Sequence, residues 1–173
     1  MEPPSSPSPP ARRFELPTER ETAEQAVEML FASMERITRV HPFAKGMGIA
    51  APQIGKPRSA AVVQPAKAGA DAIVLLNPRI TASSQDSDEQ YEGCLSFFDV
   101  RTLVPRPLTI TIETTTLDGT IVTTEYTRGL ARLITHEIDH LNGLLTLDRM
   151  RPGVDAIPIE EYRQTGQSWA HDS

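Results

Sequence analysis

The stretch LARLITHEIDHLN at residues 130–142, followed by Gly143, is the part of the chain that best indicates the fold. Apolar residues recur in it every three or four positions and so share one helical face; they are Leu130, Ile134, Ile138 and Leu141. Leu133 widens this face until much of the circumference is apolar. We therefore predict a helix that lies inside the domain and ends at Gly143.

Upstream of this helix the sequence predicts one further helix and several strands. A capping-box pattern at residues 18–21 precedes an apolar stripe, which predicts a helix over residues 19–40. Residues 81–90 are polar and are interpreted as an exposed loop. The segments rich in β-branched residues are predicted strands; they are residues 59–63, 73–77, 108–116 and, after an Asp118-Gly119 turn, 121–124. This order predicts an α+β fold, with antiparallel or mixed sheets packed around the buried helix.

The central helix also contains the sequence HEIDH, from His136 to His140. Histidines at i and i+4 project from the same helical face, so both imidazoles can bind one metal ion. Glu137 lies between them and is placed to take a proton from an attacking water. The alternative is a helix whose histidines only pack in the core. Since the chain has only 4 histidines, two of them at this spacing favour a metal site.

A catalytic metal site needs a third protein ligand and an open position. Upstream, the single cysteine, Cys94, is the only soft ligand. Glu160 and Glu161 are downstream candidates, but they follow Pro152 and Pro158 near the end of the chain, where a fixed return to the site is less expected. Cys94 is therefore the preferred third ligand, and the glutamates remain the alternative.

A third segment, GMGIAAPQ at residues 46–53, contains two glycines and ends in Gln53. Its glycines would let a substrate backbone approach closely, and Gln53 offers an amide donor to a developing oxyanion. The alternative is an ordinary flexible loop. A phosphate-binding loop is disfavoured because the third glycine and the following helix of that motif are missing.

The composition excludes several classes of protein. The chain has 173 residues, a net charge of -6 and no basic cluster, so nucleic-acid binding is not expected. Its apolar runs are too short to span a bilayer, and one cysteine excludes an internal disulfide and suits a reducing compartment. We predict a cytoplasmic protein with a disordered Pro/Ser-rich tail over residues 1–12 and a single metallohydrolase domain over residues 13–173.

Together, GMGIAAPQ, EGCLS (residues 92–96) and HEIDH resemble, in this order, the three motifs of the peptide deformylase family. The resemblance implies metal-dependent removal of the formyl group from the N-terminal formylmethionine of nascent polypeptides. It implies a metal held by Cys94, His136 and His140, with Glu137 as general base and acid. The oxygen of the formyl group would be held by Gln53 and the backbone N–H of Leu95. The implied ion is Fe(II) in the cell, with Zn or Ni in purified protein.

The resemblance also implies partners and a substrate site. The partner is an N-formylmethionyl peptide, with a transient ribosome contact as a further expectation. The substrate-binding candidates for its backbone and its methionine side chain are Gly46, Met47, Gly48, Ile49, Arg101 and Leu133. The chain departs from the family pattern at Phe97-Phe98, at Thr135 and before the first helix, over residues 11–17. The alternatives are therefore a paralogue acting on another formylated amine, or a weakly active binding module.

Overall fold

A computed structural model describes residues 9–40, 46–67, 69–94, 97–144, 146–150, 153 and 157–158, with the backbone alone at 93–94, 97–100 and 146–147. Three α-helices occur in these ranges: α1 (Arg20–Val40), α2 (Arg128–Leu141) and α3 (Thr146–Arg149). The strands, in chain order, are β1 (Met47–Ala50), β2 (Ala60–Gln64), β3 (Ile73–Leu76), β4 (Arg79–Ser83), β5 (Ser87–Cys94), β6 (Phe97–Pro107), β7 (Thr109–Thr115), β8 (Ile121–Thr127) and β9 (Ile157–Pro158).

The strands form three antiparallel sheets, in the orders β1-β2-β3, β4-β7-β8 and β5-β6-β9. Helix α2 packs against β1, β2, β6, β7 and β8. Every residue of α2 from Ala131 to Leu141 is buried. The predicted α+β fold with a central helix is therefore confirmed.

The first sheet lies between the two long helices, which explains why β2 is apolar at consecutive positions. Ala60 and Val62 pack into the core shared with α1, whereas Ala61 and Val63 pack into the core shared with α2. Successive strand residues point to opposite faces, so a strand buried on both faces has no polar alternation. This arrangement holds β1 against the buried helix α2.

One interpretation of the sequence was wrong, and one alternative is excluded. Residues 81–90 are not a loop, because most of them belong to β4 and β5. The glycine-bearing segment 46–53 is also not a loop; it forms β1 and a short 3-10 helix, Ala51–Ile54. The Asp118-Gly119 turn is confirmed between β7 and β8, where Gly119 has a positive φ of 92°.

The chain joins the fold before residue 13, the predicted start of the domain. The N–H of Ala11 donates to the carbonyl of Leu141 at the end of α2, and Arg12 forms a parallel bridge with Arg58. Residues 1–8 lie outside the described ranges. No helix in the described parts of the chain is both long and apolar enough to cross a membrane.

Candidate metal and catalytic site

The two histidines of α2 meet at their ring nitrogens. Nε2 of His136 lies 3.2 Å from Nε2 of His140, and both side chains are buried. Two nitrogens bound to one tetrahedral ion at about 2.0–2.1 Å would lie ~3.3 Å apart. The pair therefore has the spacing of two ligands of a single metal ion, as the i, i+4 spacing predicts.

Glu92 fixes the orientation of the first of these imidazoles. Nδ1 of His136 lies 3.0 Å from Oε1 of Glu92. An ionised carboxylate only accepts hydrogen bonds, so Nδ1 carries the proton. In the neutral ring Nε2 then holds the lone pair that faces His140. Carboxylates commonly hold metal-ligating histidines in this way.

Two buried arginines keep the Glu92 carboxylate ionised. Arg106 donates to both of its oxygens, at 3.0 Å each, and Nη1 of Arg132 donates to Oε2. Burial alone would raise the pKa of Glu92, but the charge of Arg106 and the hydrogen bond from His136 hold this pKa well below its usual range. Glu92 is therefore a permanent acceptor for His136.

The same network extends to the residue next to His140. Nη1 of Arg106 lies 2.5 Å from Oδ2 of Asp139, and Arg149 on α3 donates to both Asp139 oxygens. Burial alone would lower the pKa of Arg106, but Glu92 and Asp139 raise it above its usual value. One guanidinium thus ties β5 to α2, the two elements that carry the predicted metal ligands.

The sequence motifs gave no role to the buried charged residues of this network, which are Glu92, Arg106, Arg132 and Asp139. The pattern that points to them is on the helix itself, because Arg132, His136 and Asp139 stand at i, i+4 and i+7. Charged residues on one face of a buried helix must find partners within the protein. Here those partners lie on β5, β6 and α3, and Glu92 among them contacts His136, one of the predicted metal ligands.

Glu137 lies on a different face of α2, towards β1. Its side chain is 3% exposed, and it contacts the Gly48 position of that strand. Leu133, one turn earlier, lies next to Gly46 in the same way. Glu137 therefore follows His136 directly on α2 and is held in a buried position against β1.

Gln53 lies on the 3-10 helix that follows β1. Its Oε1 accepts a hydrogen bond of 2.9 Å from the backbone N–H of Ala50. Only the oxygen of the amide can accept that bond, so Nε2, the donor atom, points away from Ala50. The side-chain donor that the sequence predicts is thus held in a fixed orientation.

The substrate-binding candidates on and near β1 lie on two different faces of the first sheet. Leu133 and the two glycines lie between α2 and β1. The side chains of Met47 and Ile49 instead pack on the opposite face of the sheet, in the core shared with α1. Their contribution to a site beside α2 is therefore limited to the backbone. Arg101 lies on β6, opposite Ile157 of β9, and is half-buried.

The third predicted ligand lies at the end of β5. Backbone pairing places Cys94 opposite Phe97, after a register irregularity between Glu92 and Cys94. The Cys94 side chain and the whole of Leu95 lie outside what the structure describes. Among the described side chains, no third His, Cys, Asp or Glu completes a metal-binding group with the two histidines.

Similarity to known proteins points to one family. The polypeptide deformylase family model matches residues 8–155. Peptide deformylase 2 of Nostoc is 32% identical over 150 residues, covering 83% of this chain and 80% of the relative. Peptide deformylase of Agrobacterium fabrum is 41% identical over 109 residues, covering 62% of this chain and 64% of that relative.

Solved structures give the same result. Peptide deformylase 1B of Arabidopsis thaliana, in complex with an inhibitor, superimposes with a TM-score of 0.72 at 30% identity, covering 90% of this chain and 80% of that one. A Met-Ala-Ser-bound class I type b peptide deformylase from Acinetobacter baumannii superimposes with a TM-score of 0.65 at 28% identity, covering 84% of this chain and 99% of that one. The family match, the relatives and the shared fold agree: this chain belongs to the peptide deformylase family.

Proposed function

We propose that this chain removes the formyl group from the N-terminal formylmethionine of nascent polypeptides, with a metal held by Cys94, His136 and His140. The observation that carries the proposal is the 3.2 Å approach of the two histidine nitrogens on a buried helix, beside Glu137. Deformylases of this family depend on a metal ion. Two imidazoles and a thiolate form a donor set that suits Fe(II), Zn or Ni and does not choose among them; we propose Fe(II) in the cell.

The metal, when bound, supplies Lewis acidity towards the formyl oxygen and the attacking water. Glu137 takes the proton from that water and gives it to the amine that leaves. Gln53 Nε2 and the backbone N–H of Leu95 donate to the formyl oxygen as it gains negative charge. Glu92 keeps the His136 ring in the orientation and tautomer that ligation requires.

The peptide would bind along β1. In the described part of the chain, β1 pairs only with β2, so its other edge offers backbone groups to an added strand. One face of this strand region packs against α2, where Leu133 lies next to Gly46 and would offer an apolar wall to the methionine side chain. The Met-Ala-Ser tripeptide bound by the Acinetobacter relative supports a substrate that begins with methionine.

The setting of the reaction is part of the same proposal. Nascent polypeptides are made in the cytoplasm, and we place the protein there, with a transient ribosome contact that brings it to its substrate. The alternatives, another formylated amine or a weakly active binding module, are not favoured because the matched relatives and structures are named as peptide deformylases.

The test is formate release from formyl-Met-Ala-Ser, with acetyl-Met-Ala-Ser as the matched control. The proposal expects rapid release of formate and no acetate, because an added methyl group must fit where the formyl hydrogen lies. Protein reconstituted separately with Fe(II), Ni and Zn should be assayed. Failure of all three forms to release formate would contradict the proposal.

A further inference from the structure

Gly48 stands directly against the side chain of Glu137. A Cβ built on Gly48 would lie 2.5 Å from Oε2, 2.7 Å from Cγ and 2.8 Å from Cδ of that residue. These are its three nearest neighbours, and all lie closer than the 3.0 Å that real Cβ contacts respect. No other side chain at position 48 is compatible with the present position of the carboxylate.

The backbone at this position does not itself require glycine. Gly48 lies in β1, paired with Val63, and its φ is outside the positive range. Gly46 is different, because its φ is 82° and an added Cβ would lie 2.7 Å from the carbonyl oxygen of Gln64. A side chain at position 46 is therefore excluded by the backbone, whereas a side chain at position 48 is excluded by the side chain of Glu137.

The register of strand and helix produces this contact. Residues two apart on a strand are about 6.6 Å apart and point to the same face. Residues four apart on a helix rise by about 6 Å. Gly48 on β1 and Gly46 just before it therefore lie against successive turns of α2, opposite Glu137 and Leu133.

We propose that Gly48 is a positioning residue for the reaction: its missing side chain leaves the space in which the Glu137 carboxylate is held against β1. The inference rests on the proposed function, in which Glu137 carries the proton. A methyl group at position 48 would meet the movable end of a side chain, so the carboxylate shifts and the strand keeps its place. The fold and the histidines are retained, and proton transfer is impaired.

The first test is Gly48→Ala, assayed on formyl-Met-Ala-Ser with metal content measured on the same sample. A misplacement of about 1 Å can cost ~100-fold in rate. We expect kcat to fall by about that factor, with KM changed less than about threefold and one equivalent of metal retained. A purely structural role for Gly48 would lower stability and leave kcat per folded molecule unchanged.

The second test asks whether Glu137 is the cause, and it needs no activity. Melting temperatures are compared for Gly48→Ala, Glu137→Ala and the double variant, because removal of the carboxylate opens the space. We expect Gly48→Ala to lower Tm in the natural background and to have little effect beside Glu137→Ala. Gly46→Ala is the matched control. It should lower Tm by the same amount in the natural background and in the Glu137→Ala background.

These measurements separate the inference from the function on which it rests. If Gly48→Ala keeps full kcat while Glu137→Ala is inactive, the positioning role is overturned and the proposed function stands. If Gly48→Ala does not fold, the double variant should; a double variant that also fails to fold would overturn the inference. Full turnover by Glu137→Ala would overturn both, because the proton carrier would be another group.

Discussion

Oε1 of Glu92 lies 3.0 Å from Nδ1 of His136, although 44 positions separate these residues in the chain. The contact joins strand β5, two residues before Cys94, to the helix that carries both histidines. Arg106 forms salt bridges with both Glu92 and Asp139, and its charge stabilises the Glu92 carboxylate that contacts His136. The geometry of the predicted metal ligands therefore depends on residues that touch neither metal nor substrate.

The Glu92→Gln variant should bind metal more weakly. An amide of the same shape carries no charge, holds the His136 ring less firmly and leaves two buried arginines facing a neutral group. Loss of such a supporting carboxylate typically lowers metal affinity ~10–100-fold. Competition with a chelator measures the change, with Glu113→Gln on the surface pair with Arg79 as control. Unchanged affinity in folded Glu92→Gln would show that the Glu92 contact does not support the site.

The Arg106→Met variant should be strongly destabilised. Without the Arg106 guanidinium, the buried carboxylates of Glu92 and Asp139 lose part of the positive charge that stabilises them. Breaking a buried ion pair typically lowers the free energy of unfolding by about 3–5 kcal/mol. Arg79→Met removes an exposed pair and should cost less than about 1 kcal/mol. Urea unfolding of both variants gives the comparison. Similar losses for the two would contradict the importance assigned to the buried network.

The Cys94→Ala variant should lose metal and activity together. Cys94 is the preferred third ligand because it is the only thiol in the chain. Metal equivalents measured after dialysis, together with formate release, check this expectation. A variant that keeps one equivalent and normal turnover would make Cys94 a core residue and return Glu160 and Glu161 as candidates.

The Gln53→Ala variant should lose turnover and keep metal. The formyl oxygen gains charge only as water attacks, so a donor aimed at it acts mainly on the transition state. Removal of one such donor typically lowers kcat ~100- to 1,000-fold. We expect that loss with little change in KM. A sharp rise in KM with unchanged kcat would instead assign Gln53 to ground-state binding.

The central helix was predictable because its local pattern and its burial agree. The i, i+4 histidines and the apolar stripe are both local features of the sequence, and together they indicate α2 and the metal-ligand pair. Strand β2 was predictable for a similar reason, since a strand buried on both faces is continuously apolar.

Strands β5 and β6 were not predictable from hydrophobic alternation, because most of their buried positions are polar or charged. Thr102, Val104 and Arg106 face the interior from β6, and Glu92 does so from β5. Charges that are satisfied only across the fold look like loop residues in the sequence. The supporting residues of the site were missed for this reason. Residues 81–90 were interpreted as a loop because they are polar, and most of them are exposed on the surface of the fold.

The proposed mechanism separates metal binding by the histidines of α2 from proton transfer by Glu137, and the Glu137→Ala variant decides whether that separation is real. Metal content and formate release from formyl-Met-Ala-Ser are measured on one preparation of this variant beside the unchanged protein. We expect one equivalent of metal in both and loss of hydrolysis, by ~100- to 10,000-fold, in the variant. Loss of the metal would make Glu137 a ligand, and normal turnover with metal retained would show that it carries no proton; either result contradicts the mechanism.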